Sequence, residues 1–249
     1  MLDKFKFDKL KIYLLQIILL IIPILALFES TIVSKKIVAI FLVVYACIMG
    51  IILKKRKVLS TYTKQVILLC IGLSIIYVIL FYATGLYFGY YKAPVTFGWF
   101  GITKYIIPLS IIIITSEYVR YVLLSQKEKF NVVTTFIAMV LIDVIVYSQA
   151  YDLNSLDDFL TVFGFIVFSS ISCNLLYNYI SARFGYKPII AYRLITCLYP
   201  YILPIIPNVY IFFRSIARMV YPYIIYLILD YTYSKNNQVQ EYRDNKKEL

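Results

Sequence analysis

Long apolar runs divide the chain, and polar residues gather in the short gaps between them. Runs over residues 12–28, 37–53, 66–87, 102–124, 130–147, 159–180, 189–206 and 210–229 each approach the ~20 residues with which a helix crosses a ~30 Å hydrocarbon core. They are apolar on most faces rather than striped on one, as befits rods that face lipid. Their Ile, Val, Tyr and Phe would favour strands in water. In lipid the backbone must bond within its own segment, so helix prevails. The pattern predicts an all-α fold: a polytopic transmembrane helix bundle of about eight spans, forming one domain over residues 1–230. A short polar cytoplasmic tail, residues 231–249, follows as an unstructured end or the start of a linker. The first run follows a basic stretch, as in a signal peptide. It carries Pro23 and no clean small-x-small cleavage site follows, so it reads as a retained span.

Composition sharpens this picture. Of 249 residues, 62% are hydrophobic and 15% charged, against about 25% charged in ordinary soluble domains. The mean hydropathy is +0.81. The bases fall mostly at every second gap. Lys4, Lys6, Lys9 and Lys11, then Lys54, Lys55, Arg56, Lys57 and Lys64 lie on one side of the expected membrane. Lys127, Lys129, Arg183, Lys187, Lys235, Arg243, Lys246 and Lys247 join them. The other side holds Lys35, Lys36, Lys92 and Lys104, and its gap before residue 159 carries only acids, Asp152, Asp157 and Asp158. Positive charge stays inside, so both termini are expected in the cytoplasm. The tyrosines near run ends, among them Tyr87, Tyr90, Tyr91 and Tyr147, suit interfacial anchoring. The net charge of +12 then follows from span-flanking bases. With no basic, aromatic-interleaved soluble segment, no nucleic-acid partner is expected, and the lipid bilayer is the first partner.

The chain has no histidine, which excludes Ser-His-Asp and Cys-His catalysis and histidine metal sites. Cys47, Cys70, Cys173 and Cys197 sit singly within apolar runs and read as small buried residues. Neither a metal nor a cofactor is expected. Asp157 and Asp158 are placed to favour the start of the following helix. Gly85 and Gly89 have GxxxG spacing, read either as a close helix approach or as a flexible exit turn. Pro200, Pro204 and Pro207 interrupt the seventh run. They predict a kinked helix with a stiffened outer turn, or a broken helix whose freed carbonyls line a cavity.

Charges within the runs sort by depth. Glu117, Arg120, Asn174 and Arg193 fall toward the cytoplasmic half, and Asp143, Arg214 and Arg218 toward the outer half. An unpaired charge at mid-bilayer costs ~3 kcal/mol or more, so these residues are expected to face inward and pair. Glu117 and Arg120 share a helix face, and Arg193 reaches their level. Asp143 is expected to pair with Arg214 or Arg218, one turn apart. The pairs read as glue between helices or as a cavity for an anion, such as a lipid head group or a peptide carboxylate, since arginines outnumber acids.

Two resemblances add to this. Gly185 and Pro188, with Arg193 five residues on, resemble the CAAX-protease and bacteriocin-processing family, where a catalytic histidine holds the position of Arg193. Ser116-Glu117-Tyr118-Val119-Arg120 is a partial echo of that family's Glu-Glu-x-x-x-Arg motif. One glutamate and every histidine are missing, so the resemblance implies a helical bundle without that chemistry. The order of Ser116–Tyr121, Phe184–Arg193 and Tyr201–Asn208 resembles a multi-span membrane domain of low-GC Gram-positive bacteria. In those proteins it precedes a signal-peptidase-I-type catalytic domain of the archaeal and ER kind. The Ser-x-Met-x-Pro nucleophile of that domain is absent here. The resemblance implies a non-catalytic part of protein processing in the plasma membrane, with a membrane-anchored protease or helical peptide as partner. A transporter or channel, and a degenerate intramembrane enzyme resting on Glu117, are the alternatives.

Overall fold

The computed structural model of the chain describes residues 2–28, 34–53, 62–93, 95, 97–126, 129–148, 151 and 155–245. Lys54, Lys55, Arg56, Lys57, Lys127, Asp152, Lys246 and Lys247 lie outside the described residues, as do the side chains of Lys4, Lys6, Lys9, Lys129, Lys235 and Arg243.

Among the described residues, eight long helical rods account for nearly the whole chain. They are α1 (Leu2–Phe28), α2 (Lys35–Ile52), α3 (Thr63–Phe88), α4 (Trp99–Leu124), α5 (Lys129–Ser148), α6 (Leu156–Phe184), α7 (Lys187–Ile202) and α8 (Ile211–Asn245). Six of them, α2 to α6 and α8, are long and apolar enough to cross a membrane. In α1 the apolar stretch is Lys11–Ile24. The 16 residues of α7 span about 24 Å at 1.5 Å per residue, short of the hydrocarbon core. The polar segment after Asp230 continues α8 as helix to Asn245. Ser155 precedes α6, with Asp157 and Asp158 in its first turn.

The rods bury their apolar faces chiefly in two large cores, beside two smaller clusters. Leu15 and Leu19 of α1, Leu42 and Met49 of α2, Ile112 and Ile113 of α4, and Met139 and Ile142 of α5 form the first. Val66 and Cys70 of α3, Leu176 and Ile180 of α6, Ile189 of α7, and Ile225 and Leu229 of α8 form the second. The helices thus gather mainly into two four-helix groups, α1-α2-α4-α5 and α3-α6-α7-α8, with Val140 and Val144 of α5 packing on Val162 of α6 across them. Each interleaves with the other along the sequence. Leu198 of α7 reaches across into the first core. Gln16 donates to Asn131 at 2.7 Å and ties α1 to α5. The opposite faces expose Ile40, Leu68, Ile79 and Leu227, an apolar coat suited to lipid.

The seventh run is not one helix to residue 206. It stops at Ile202, where Leu203 turns to extended backbone, and β2 (Ile205–Pro207) pairs antiparallel with β1 (Tyr90–Lys92). Pro204 and Pro207 offer no N–H, which ends the helix and limits the strand. Their neighbourhood is satisfied nonetheless. Ala93 N donates to Pro204 O at 2.9 Å, Asn208 N donates to Gly89 O at 2.9 Å, and the Tyr82 hydroxyl donates to Ile205 O. The Pro204 and Ile205 carbonyls thus bond the β1 segment and α3, and the fold carries a small β pair beside its helices. Gly89, with φ of 79°, makes the exit turn from α3 that only glycine adopts without strain. Gly85 serves the same hairpin differently: a Cβ there would stand 2.3 Å from the Tyr90 ring.

Candidate functional site: a buried charge seam

The polar residues that the bilayer would punish converge where the two four-helix groups meet. From the first group, α4 supplies Glu117 and Arg120 and α5 supplies Asp143. From the second, α6 supplies Asn174 and Asn178 and α7 supplies Arg193. Glu117 and Arg120 are one helical turn apart. Arg120 Nε donates to Glu117 Oε2 at 2.8 Å and Nη2 donates to Oε1 at 3.3 Å. Arg193 then bridges the acids. Its Nη1 donates to Glu117 Oε1, and its Nη2 donates to Asp143 Oδ1 at 2.6 Å. The second Asp143 oxygen accepts from Asn174 Nδ2 at 2.8 Å. Asn174 Oδ1 accepts from Arg120 Nη2, and Asn178 accepts from Arg120 Nη1. Asn174 therefore joins the two ion pairs through both ends of one amide.

This network is closed and neutral. Glu117 and Arg120 are wholly buried, with Asp143 and Arg193 nearly so. Two acids and two arginines cancel, and each carboxylate oxygen has a donor. The Tyr177 ring packs against both guanidiniums, 5.5 Å from Arg120 Cζ and 4.9 Å from Arg193 Cζ, adding cation–π attraction in a desolvated place. A buried pair repays its desolvation only when geometry is good and remaining lone pairs are met. Both conditions hold for the acids. The exception is Arg193 Nε, buried without a partner.

The expectation of two clusters at two depths gives way to one seam. Asp143 pairs with Arg193 rather than with Arg214 or Arg218. Gly185 is buried against Tyr121, and Tyr186 packs on Tyr118 and Tyr121. The α6–α7 turn is thereby set within the bundle, and Arg193 stands where both acids are in reach. Among the described residues, no carboxylate lies within ion-pair distance of Arg214 or Arg218. Arg218 Cζ stands 5.4 Å from the Tyr147 ring, beside a cavity of about 40 Å³ that Asp143 and Arg193 also line. Arg214 Cζ stands 5.6 Å from the Phe81 ring. It lines an apolar groove of about 380 Å³ between α3 and α8, and its Nε is buried without a partner. Tyr77 and Tyr221 line both spaces.

None of Pro200, Pro204 and Pro207 takes part in the seam: Pro200 lies near the end of α7, Pro204 in the link that follows it and Pro207 in β2. Asn178 and Ser116 belong to the seam though depth alone did not single them out; Ser116 accepts from Arg193 at 3.4 Å. The signal for Asn178 was its place four residues after Asn174, on the same face of one helix. No group of three or more Cys, Asp and Glu suited to a metal occurs among the described residues. Comparison with protein-family models, with curated proteins and with solved structures gives no match.

Proposed function

We propose that this integral membrane chain is a non-catalytic docking domain, whose partner is a membrane-anchored protein of signal-peptidase-type processing or its helical substrate. The observation that carries the reading is the division of charge. Both acids of the seam are held by arginines, and each of their oxygens already accepts a hydrogen bond within the seam. Of the two arginines left without a carboxylate among the described residues, Arg214 stands in a lateral apolar groove with an unmet Nε. Helices associate in lipid by close packing and polar contacts. The groove fits an apolar helix that brings one carboxylate to Arg214, and a guanidinium is well matched to a carboxylate. The resemblance of Ser116–Tyr121, Phe184–Arg193 and Tyr201–Asn208 to the membrane domain of signal-peptidase-like proteins supplies the kind of partner.

Affinity purification in mild detergent, followed by mass spectrometry of proteins and lipids, tests this. The expected result is a membrane-anchored protease with a Ser-x-Met-x-Pro motif, or its substrate, retained by the wild type and reduced at least fivefold by Arg214→Glu. Recovery of lipid alone overturns the reading. So does peptide cleavage by the purified chain that disappears in Glu117→Gln.

A further inference from the structure

The cavity beside Arg218 lies where α5, α6, α7 and α8 converge, with Tyr77 of α3 at its edge. Its charge does not balance. Asp143 is already engaged at both oxygens, by Arg193 and Asn174, and Glu117 is engaged by Arg120 and Arg193. Those four charges cancel among themselves. Arg218 adds one positive charge to the lining, and the ring of Tyr147 is its side chain's contact there. A ring face attracts a cation but does not neutralise it. An uncompensated guanidinium within a bundle that faces lipid is costly and draws in a counter-charge or water.

The lining also offers donors. Tyr77 has a buried hydroxyl with no hydrogen-bond partner, and Tyr147 shares its hydroxyl with Cys197 at 3.1 Å. The space is small: about 40 Å³, where one water takes roughly 10–15 Å³ on the same measure. That suits a single-atom ion with a water beside it better than a phosphate ester or a large organic acid. We infer that this cavity is a binding site for a halide-sized inorganic anion, held by Arg218 and hydroxyl donors such as Tyr77. The site does not rest on a docked partner, because Arg218 lines this cavity and not the groove that holds Arg214.

The test uses the full chain purified in mild detergent, with thermal unfolding followed at constant ionic strength and pH. Sodium gluconate, too bulky to enter, is replaced stepwise by sodium chloride or bromide. The expected result is a saturable rise in Tm of several degrees with either halide, retained in Arg218→Lys and lost in Arg218→Met. Arg218→Met removes a charge that lacks a carboxylate, so it should unfold in gluconate no earlier than the wild type. Chlorine-35 NMR of the wild type gives a second readout: line broadening by the protein that bromide reverses by competition. A Tm equal in gluconate and halide, an equal halide response in Arg218→Met, or no broadening displaceable by bromide overturns the site.

Discussion

Arg193 is the residue on which the seam turns, because it alone touches both acids. Replacing it by methionine would leave Asp143 with only an amide donor and Glu117 with only its neighbour on α4. Breaking a buried pair by removing one partner costs about 3–5 kcal/mol, since the other charge stays buried. Arg193→Met should therefore lower stability by that order, measured by reversible unfolding in mixed micelles. Adding Asp143→Asn should restore part of the loss, because the stranded charge is then gone. A double variant no more stable than Arg193→Met would show that the two side chains act separately. The residues of the seam were legible as residues: each is polar within an apolar run. Their pairing was less so. Counted from the helix starts, Asp143 lies about 21 Å along α5 and Arg193 about 9 Å along α7 at 1.5 Å per residue. The sequence does not reveal that the turn before α7 is buried by Tyr121 and Tyr186, and that packing is what selects Arg193 as partner.

That turn shows how one backbone position sets an element. Gly185 has φ of 85° and ψ of −175°, a region that side chains with a Cβ rarely enter. The nearest obstacle to an added methyl is Tyr121, at 3.9 Å, so space is available and the backbone alone resists. Gly185→Ala should then cost about 1–3 kcal/mol. Because the turn aims α7, the loss should appear as a weaker coupling between Arg193 and Asp143 in the same double-variant measurement. An unchanged unfolding curve would mean that the turn is not under this constraint. Gly89 makes the other such turn, and there the sequence was more readable: a glycine at the end of a long apolar run, followed by tyrosines. The β pair that follows was hidden, because Tyr90–Lys92 and Ile205–Pro207 are three-residue strands more than a hundred residues apart. Periodicity in so short a segment carries no signal, and the prolines marked only where the helix had to stop.

At the scale of the molecule, the apolar runs translate almost directly into rods, because in lipid the backbone has few alternatives to helix. How the rods sort into two groups was not readable, since runs apolar on most faces do not say which face meets which neighbour. The seam resolves this physically. Each group has its own hydrophobic core, a few apolar side chains such as Leu198, Val144 and Val162 pack across the boundary, and lipid adds no hydrophobic drive to press the two together. The ion pairs and amides from Glu117, Arg120, Asp143, Asn174, Asn178 and Arg193 are the charged and amide contacts between them, and the Tyr147–Cys197 contact adds to these. The charge asymmetry of the gaps then predicts which way the assembled bundle faces. With positive residues retained inside, the helix junctions at Ser34, Lys92 and Ser155 should face outward, and Arg183 should face the cytoplasm. Single cysteines at these four positions, in a background with Cys47, Cys70, Cys173 and Cys197 replaced by serine or alanine, would be treated with a membrane-impermeant maleimide on intact cells. Labelling is expected at 34, 92 and 155, and at 183 only after permeabilisation. Labelling of 183 from outside would invert the bundle and place the β pair, the Arg214 groove and its docking partner at the inner leaflet, where the bases that flank the spans would no longer account for the orientation.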